Sequence, residues 1–141
     1  MVRSRVNRCS PLGRSATLLS TLASGATAGR CGGEPIAVIE VRIDTIHQGK
    51  REEFVKLYDE VLLPAQRQFG LEVLGQFISL DDDQTFVWLR RFDSQQERQR
   101  KWDEFYGSDL WRNQLGPRAN PLLQDTSNVI AVQPTPGSAI Q

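Results

Sequence analysis

The stretch TFVWLRRFDSQQERQRKWDEFYGSDLW, residues 85–111, decides the fold. It contains all three tryptophans of the chain and the change from a strand pattern to a helix pattern. Thr85–Phe92 is rich in aromatic and β-branched residues, which is typical of a strand. Ser94 with Glu97 forms a capping box, which predicts a helix that begins there and runs to about Tyr106.

The same stretch predicts the end of this helix and the element after it. Gly107 favours a left-handed helix terminus, because a glycine pays no steric penalty there. Ser108 is suited to cap a further short helix over residues 109–115. Gly116-Pro117 is expected to stop that helix.

The centre of the strand, Phe86-Val87-Trp88-Leu89, is apolar at successive positions and not only at alternate ones. Such a strand needs both of its faces covered. Two helices can cover only one face of a small four-stranded sheet, so the other face requires a partner. The pattern therefore predicts a homodimer.

Toward the amino terminus, the alternating residues 36–46 predict a first strand. Ala37, Ile39, Val41 and Ile43 occupy one face, while the opposite face carries Val38, Glu40, Arg42 and Asp44. From Lys50 the apolar period becomes helical. We expect Pro64 to kink this helix or to begin a second short one, and Gly70 to end it.

Two more strands complete the pattern. Residues 71–80 alternate again, with Gly75 suggesting a bulge, and the acidic turn Asp81–Asp83 makes a hairpin with the strand that begins at Thr85. Val129–Val132 is the last strand. The order β-α-β-β-α-β predicts an α+β, ferredoxin-like domain over residues 36–138.

Residues 1–35 differ in composition from the rest. They carry five arginines and one acid, whereas residues 36–141 hold 12 basic and 16 acidic side chains, a net charge of −4. We interpret the segment as a disordered tail, with a targeting peptide or a misassigned start as alternatives. The corresponding location is cytoplasmic, or mitochondrial or exported if the segment is a targeting peptide.

Composition also excludes several functions. An acidic folded part argues against nucleic acid, whose phosphates require a concentrated basic face. No apolar run approaches the roughly 18 residues that a membrane span needs. Cys9, Cys31 and a single histidine, His47, do not make a metal site, so we expect neither metal nor cofactor.

Five blocks of sequence carry a family resemblance: Glu40-Val41-Arg42 with Gly49-Lys50, Leu63-Pro64 with Phe69-Gly70, Trp88 to Ser94 with Glu97 and Arg98, Ser108 to Trp111, and Pro134 to Ser138. In this order they resemble the NIPSNAP family, whose members are ferredoxin-like domains that pair into dimeric α/β barrels. The resemblance covers residues 36–138 and implies the same fold and the same pairing. It implies little chemistry.

Arg42 and Arg90 stand on otherwise apolar strands, where they could contact an anion or form ion pairs. The tryptophans could wall a pocket or pack in the core. The candidate ligand-binding residues are Arg42, Arg90, Trp88, Tyr58 and Trp102. His47 is the one catalytic candidate, because histidine suits acid–base work near neutral pH, although no nucleophile accompanies it.

We therefore expect a homodimeric module that binds a small apolar or anionic ligand or another protein, without catalysis of its own. The alternative is a cofactor-independent monooxygenase, since dimeric α/β barrels include such enzymes. This alternative rests on analogy at the level of the fold. It requires a cavity with converging polar and aromatic groups, whereas a plain interaction module requires a filled core.

Overall fold

The computed structural model describes residues 36–141. The tail or targeting peptide expected at residues 1–35 lies outside the described residues. In chain order the elements are β1 (Val38–Ile46), α1 (Arg51–Leu57), a first π-turn (Tyr58–Leu62), α2 (Leu63–Gln68), β2 (Glu72–Ile78), β3 (Thr85–Phe92), α3 (Gln95–Tyr106), a second π-turn (Trp111–Leu115), α4 (Gly116–Ala119), a 3₁₀ turn (Asn120–Leu122) and β4 (Leu123–Val132).

The four strands form one antiparallel sheet in the order β2-β3-β1-β4. The two longest-range pairings place β1 between β3 and β4, so the first strand lies in the middle of the sheet. Each half of the chain supplies a strand, a helical segment and a second strand. This is the ferredoxin-like arrangement that the sequence predicted.

The first strand alternates as predicted, but the helices cover its polar face. Glu40, Arg42 and Asp44 are buried, whereas Val41 and Ile43 on the opposite face are only half-buried. The cross-strand register explains this choice. On the covered face, polar residues of β1 lie opposite Arg90, Trp88 and Phe86 of β3, so their charges and polar groups find partners there.

Around these groups the core is aromatic. Phe86 of β3 packs edge-on against Phe54, with ring centroids 5.1 Å apart, and Phe105 packs edge-on against Phe69 at 5.3 Å. Edge-to-face geometry is the favoured arrangement of aromatic pairs. The first contact joins α1 to the sheet, and the second joins the end of α2 directly to α3.

The opposite face of the sheet is apolar and open, and the helices of the described chain do not lie on it. Val87 and Leu89 are half-buried there. Phe77, Ile130 and Val132 on the flanking strands are exposed to 53%, 49% and 41%. The two-sided apolar character of β3 is therefore observed as one aromatic, covered face and one aliphatic, open face.

Several local predictions are confirmed. Gly70 adopts a φ of +71° after α2, and the pairing of β2 with β3 shifts register between Val73 and Gly75. Ser94 Oγ accepts a hydrogen bond from the Glu97 N–H at 3.1 Å. Each of these signals is local, because it depends on the backbone geometry of a few neighbouring residues.

Three predictions of element ends are wrong. Gly107 has a φ of −82°, so it is not left-handed; a side chain there would collide with the Asp103 carbonyl oxygen. Gly116-Pro117 does not stop the helix, because α4 continues through both residues. The last strand begins at Leu123, six residues earlier than expected, since its polar first half lies at the sheet edge, where exposed polar residues are tolerated.

Candidate functional site

The centre of the covered sheet face is a buried ion pair. Glu40 of β1 and Arg90 of β3 are both fully buried. The Arg90 Nε donates to Glu40 Oε1 at 3.0 Å, and its Nη2 donates to the same oxygen. From α3, Arg98 Nε and Trp102 Nε1 donate to Glu40 Oε2 at 2.6 and 2.9 Å. One carboxylate thus joins two strands and a helix.

The pKa of Glu40 reflects this environment. Burial alone raises the pKa, because a carboxylate loses water, but the contacts with Arg90 and Arg98 outweigh burial and hold it below its usual value. Arg90 also donates to Gln66 Oε1 at 3.4 Å and lies 4.6 Å from the centre of the Trp88 ring. Arg90 is therefore fully engaged with protein groups.

Arg42, on β1, is also buried, but its hydrogen bonds are longer than the bond between Arg90 Nε and Glu40. Its guanidinium lies between the Trp88 and Trp102 rings, 5.1 and 5.2 Å from their centres. It donates to the Tyr106 hydroxyl at 3.4 Å and to the Thr126 carbonyl at 3.3 Å, both near the upper limit for a hydrogen bond. Its Nε finds no partner among residues 36–141.

Asp44, two residues further along β1, is also incompletely paired. Its Oδ2 accepts a hydrogen bond from Trp88 Nε1 at 2.7 Å. Its Oδ1 lies 3.7 Å from Arg42 Nη2, an ionic contact too long for a hydrogen bond, and has no hydrogen-bond partner in the described part of the chain. Burial raises the pKa of Asp44, and Arg42 and the Trp88 N–H offset this effect only in part.

Arg42 and Asp44 line a cavity of about 270 Å³ between the sheet and the helices. Strands β1, β3 and β4 and both helical segments contribute to its wall, and seven of the fifteen lining residues are aromatic. The other lining residues are Phe54, Tyr58, Leu62, Gln66, Trp88, Trp102, Phe105, Tyr106, Trp111, Ala119, Asn120, Leu123 and Thr126.

Two π-turns border the cavity, and each begins with an aromatic lining residue, Tyr58 or Trp111. In each, the last hydrogen bond runs back five residues, from Leu63 N–H to the Tyr58 carbonyl and from Gly116 N–H to the Trp111 carbonyl. A proline follows each of these donors. Because a proline ring collides with the carbonyl four residues earlier in a regular helix, a widened turn relieves that contact.

The first π-turn also aligns the cavity wall. Phe54, Tyr58, Leu62 and Gln66 all line the cavity at a constant spacing of four. In a regular α-helix, with about 100° per residue, twelve residues would turn the last side chain about 120° away from the first. A wider turn holds more residues and reduces this drift. It therefore keeps the four side chains on one face.

Four of the five predicted ligand-binding residues line the cavity: Arg42, Tyr58, Trp88 and Trp102. Arg90 does not contribute to the lining. The binding role of all five stays a prediction. His47 is exposed in the turn after β1, where its backbone N–H donates to the Leu122 carbonyl, and it is not a lining residue.

Sequence reasoning missed Asp44 and Tyr106 as site residues. A signal for Asp44 was present in the sequence. Glu40, Arg42 and Asp44 occupy alternate positions of β1 and therefore share one face. Arg90 and Trp88 of β3 lie opposite Glu40 and Arg42 on that face. Tyr106 had no such signal, since only the packing of α3 brings it to Arg42. Among the described residues, no three His, Cys, Asp or Glu side chains could hold a metal, and no helix could cross a membrane.

The buried ion pair yields a stability prediction. We expect Glu40→Gln to lower the free energy of unfolding by about 3–5 kcal/mol at neutral pH, because Arg90 and Arg98 lose their counter-charge. Since the folded-state pKa of Glu40 is depressed, its stabilisation is complete above the usual value of 4.5 and is lost as pH falls through the folded-state pKa. Urea denaturation of the wild-type and Glu40→Gln proteins across pH 3–7 measures how their free energies of unfolding approach each other as the pH falls.

The matched control is Glu72→Gln. Glu72 is 56% exposed on its side chain and lies 3.5 Å from Arg91, so its loss should change stability by less than about 1 kcal/mol. Equal, small losses for both variants would contradict a central role for Glu40.

Solved structures resemble this fold. A NIPSNAP family protein from Agrobacterium tumefaciens strain C58 superposes with a TM-score of 0.68 at 21% identity, covering 74% of this chain and 99% of the relative. A NIPSNAP-like domain protein from Burkholderia xenovorans gives 0.68 at 18% identity, covering 74% and 90%. An antibiotic biosynthesis monooxygenase gives 0.54 at 20% identity, covering 70% and 99%.

At these identities the likeness concerns the fold alone. The chain matches no curated protein. The NIPSNAP family profile, however, matches residues 39–138, from the second residue of β1 to the tail beyond β4. That match spans the sheet, the helices and the cavity. The chain therefore belongs to the NIPSNAP family.

Proposed function

We propose that this chain is a homodimeric module that binds a small aromatic molecule in the cavity between sheet and helices. The observation that carries the proposal is that the two charged side chains lining the cavity, Arg42 and Asp44, each keep one buried polar atom, Nε and Oδ1, without a hydrogen-bond partner in residues 36–141. A buried polar atom that lacks a partner costs about 1–3 kcal/mol. A ligand that pairs with both atoms recovers that cost.

The size and lining of the cavity support a small ligand. Ligand sites usually measure about 300–1,000 Å³ and combine apolar walls with a few polar groups. A volume of about 270 Å³ lies just below this range, which suits a molecule of one or two rings. A protein that serves only as an interaction module would more simply fill such a space with side chains.

Native mass spectrometry of the full chain tests the binding. We expect the wild-type protein to retain a small molecule, and Arg42→Met to lose it, because the substitution removes the donor and leaves the Asp44 charge uncompensated. Arg118→Met is the control, since Arg118 is exposed and does not line the cavity. Thermal denaturation verifies that both variants fold. Wild type and Arg42→Met that both carry no ligand would contradict the proposal.

The homodimer is supported by the open sheet face. Val87 and Leu89 of β3, with Ile130 and Val132 of β4, present aliphatic side chains on the side away from the helices. A contiguous apolar surface of this kind is typical of a protein interface. A second copy of the same face is a chemically matched cover, and two sheets packed face to face enclose such residues.

Size-exclusion chromatography with light scattering tests the dimer. We expect the full chain to have a mass twice its 15.9 kDa, and Ile130→Glu to shift it toward monomer, because two buried carboxylates would meet or lie close at the interface. Leu80→Glu is the matched control, since Leu80 is 98% exposed in the loop between β2 and β3. A wild-type monomer, or an Ile130→Glu protein that stays dimeric, would contradict this proposal.

The alternative of a cofactor-independent monooxygenase is favoured by a specific observation. The cavity contains converging aromatic groups, an asparagine (Asn120) and a buried carboxylate, Asp44, whose raised pKa suits a general base. Its fold resembles that of an antibiotic biosynthesis monooxygenase. His47 would have no part in this chemistry, because it lies outside the cavity lining.

Dioxygen consumption separates the two functions. A binding module should leave a hydroxylated naphthalene unchanged, with dioxygen uptake equal to the protein-free rate. An enzyme should consume dioxygen at a rate proportional to protein concentration. The Asp44→Asn variant should consume dioxygen at least about 100-fold more slowly, which is the usual minimum contribution of a general base. The second outcome would replace the binding module with the enzyme.

A further inference from the structure

We infer that the ligand is electrically neutral and carries an amide-like edge, that is, a hydrogen-bond acceptor beside a donor, on an aromatic ring system. This inference rests on the proposed ligand-binding function and adds the chemical class of the ligand. A primary aromatic amide and a fused-ring lactam are examples of the class.

The two unpartnered atoms are a complementary pair. Arg42 is 6% exposed and Asp44 3% exposed, and both belong to the same face of β1. The Arg42 Nε–H can only donate, and the ionised Asp44 Oδ1 can only accept. Because Arg42 Nη2 is 3.7 Å from Asp44 Oδ1, the two groups lie side by side. Both atoms are covered by protein, so a ligand reaches them by shifting the Arg42 side chain, whose contacts with Tyr106 and Thr126 are long. A ligand carbonyl can then accept from Arg42 while the adjacent ligand N–H donates to Asp44.

Charge at the cavity wall disfavours an anion. Arg42 and Asp44 are the charged lining residues, and their charges cancel. Arg90 and Arg98 are committed to Glu40, and Arg98 is partly exposed to solvent, which screens its excess charge. A ligand carboxylate could accept from Arg42, but its second oxygen would face the Asp44 carboxylate. Two acceptors in contact repel each other. A ligand cation would instead be repelled by the positive charge of Arg42.

The remainder of the wall selects the ring system. Trp88 and Trp102 flank the Arg42 guanidinium, and Tyr106 and Trp111 pack edge-on with ring centroids 4.8 Å apart. These side chains offer flat apolar surfaces beside a single charged pair, Arg42 and Asp44. A flat aromatic ligand can stack on such surfaces and place its polar edge at β1.

A matched pair of probes tests the class directly: 2-naphthamide and 2-naphthoate have nearly the same shape and differ in charge and in the donor. Isothermal titration calorimetry with the full chain at pH 7 should give a Kd for 2-naphthamide at least about tenfold lower than that for 2-naphthoate, the ratio expected when one hydrogen bond to a charged group is gained. The wild-type comparison does not depend on the folding of any variant.

The Asp44→Asn variant is expected to remove or reverse the preference for 2-naphthamide over 2-naphthoate. In Asp44→Asn the side-chain amide can donate to a ligand carboxylate, so 2-naphthoate should bind at least as tightly as 2-naphthamide. Asp81→Asn, in the exposed loop between β2 and β3, is the control and should keep the wild-type ratio. An Asp44→Asn ratio equal to that of wild type would overturn the assignment of Asp44 as the acceptor.

The outcomes distinguish this inference from the function on which it rests. If 2-naphthoate binds the wild-type protein more tightly, the neutral amide-like class is wrong and ligand binding stands. If neither probe binds while native mass spectrometry detects a retained molecule, the class is again wrong. If neither probe binds and no molecule is retained, the proposed binding function itself fails.

Discussion

The rest of the structure depends on the buried carboxylate of Glu40. It receives hydrogen bonds from Arg90 on the neighbouring strand and from Arg98 and Trp102 on α3. A buried charge is tolerable only when it is paired and hydrogen-bonded, so the strand register and the position of the helix must satisfy one oxygen each. The polar face of β1 can turn inward only because this arrangement supplies those partners.

Beside this satisfied group, the same strand carries an arginine and an aspartate that are not fully satisfied. Arg90 makes short contacts to Glu40, whereas Arg42 makes only long ones and keeps a free Nε among the described residues. The domain thus uses one ion pair for cohesion and leaves a second, looser pair at a cavity. The Glu40–Arg90 pair contacts Trp102 and Trp88. These two tryptophans in turn contact the Arg42 guanidinium of the looser pair.

The sequence could predict the features that depend on neighbouring residues. The bounds of β3, the Ser94 cap and the bulge at Gly75 are of this kind. It could not predict which face of β1 would be covered, because cross-strand partners decide that. Arg42 was recognisable as a charge on an apolar strand, but the convergence of Tyr106 on it is set by helix packing, which no local pattern encodes.

The two π-turns have a consequence for comparing members of the family. Each turn is equivalent to a single-residue insertion in an otherwise regular helix. Deletion of one residue between Tyr58 and Leu62 would leave a regular helix with eleven steps from Phe54 to Gln66, which at about 100° per residue keeps the two side chains within about 20° of each other. Relatives with a one-residue gap at either turn can therefore keep both the fold and the cavity wall on either side of the turn. The identities of the residues at these wall positions, more than the lengths of the helices, mark which relatives share the site.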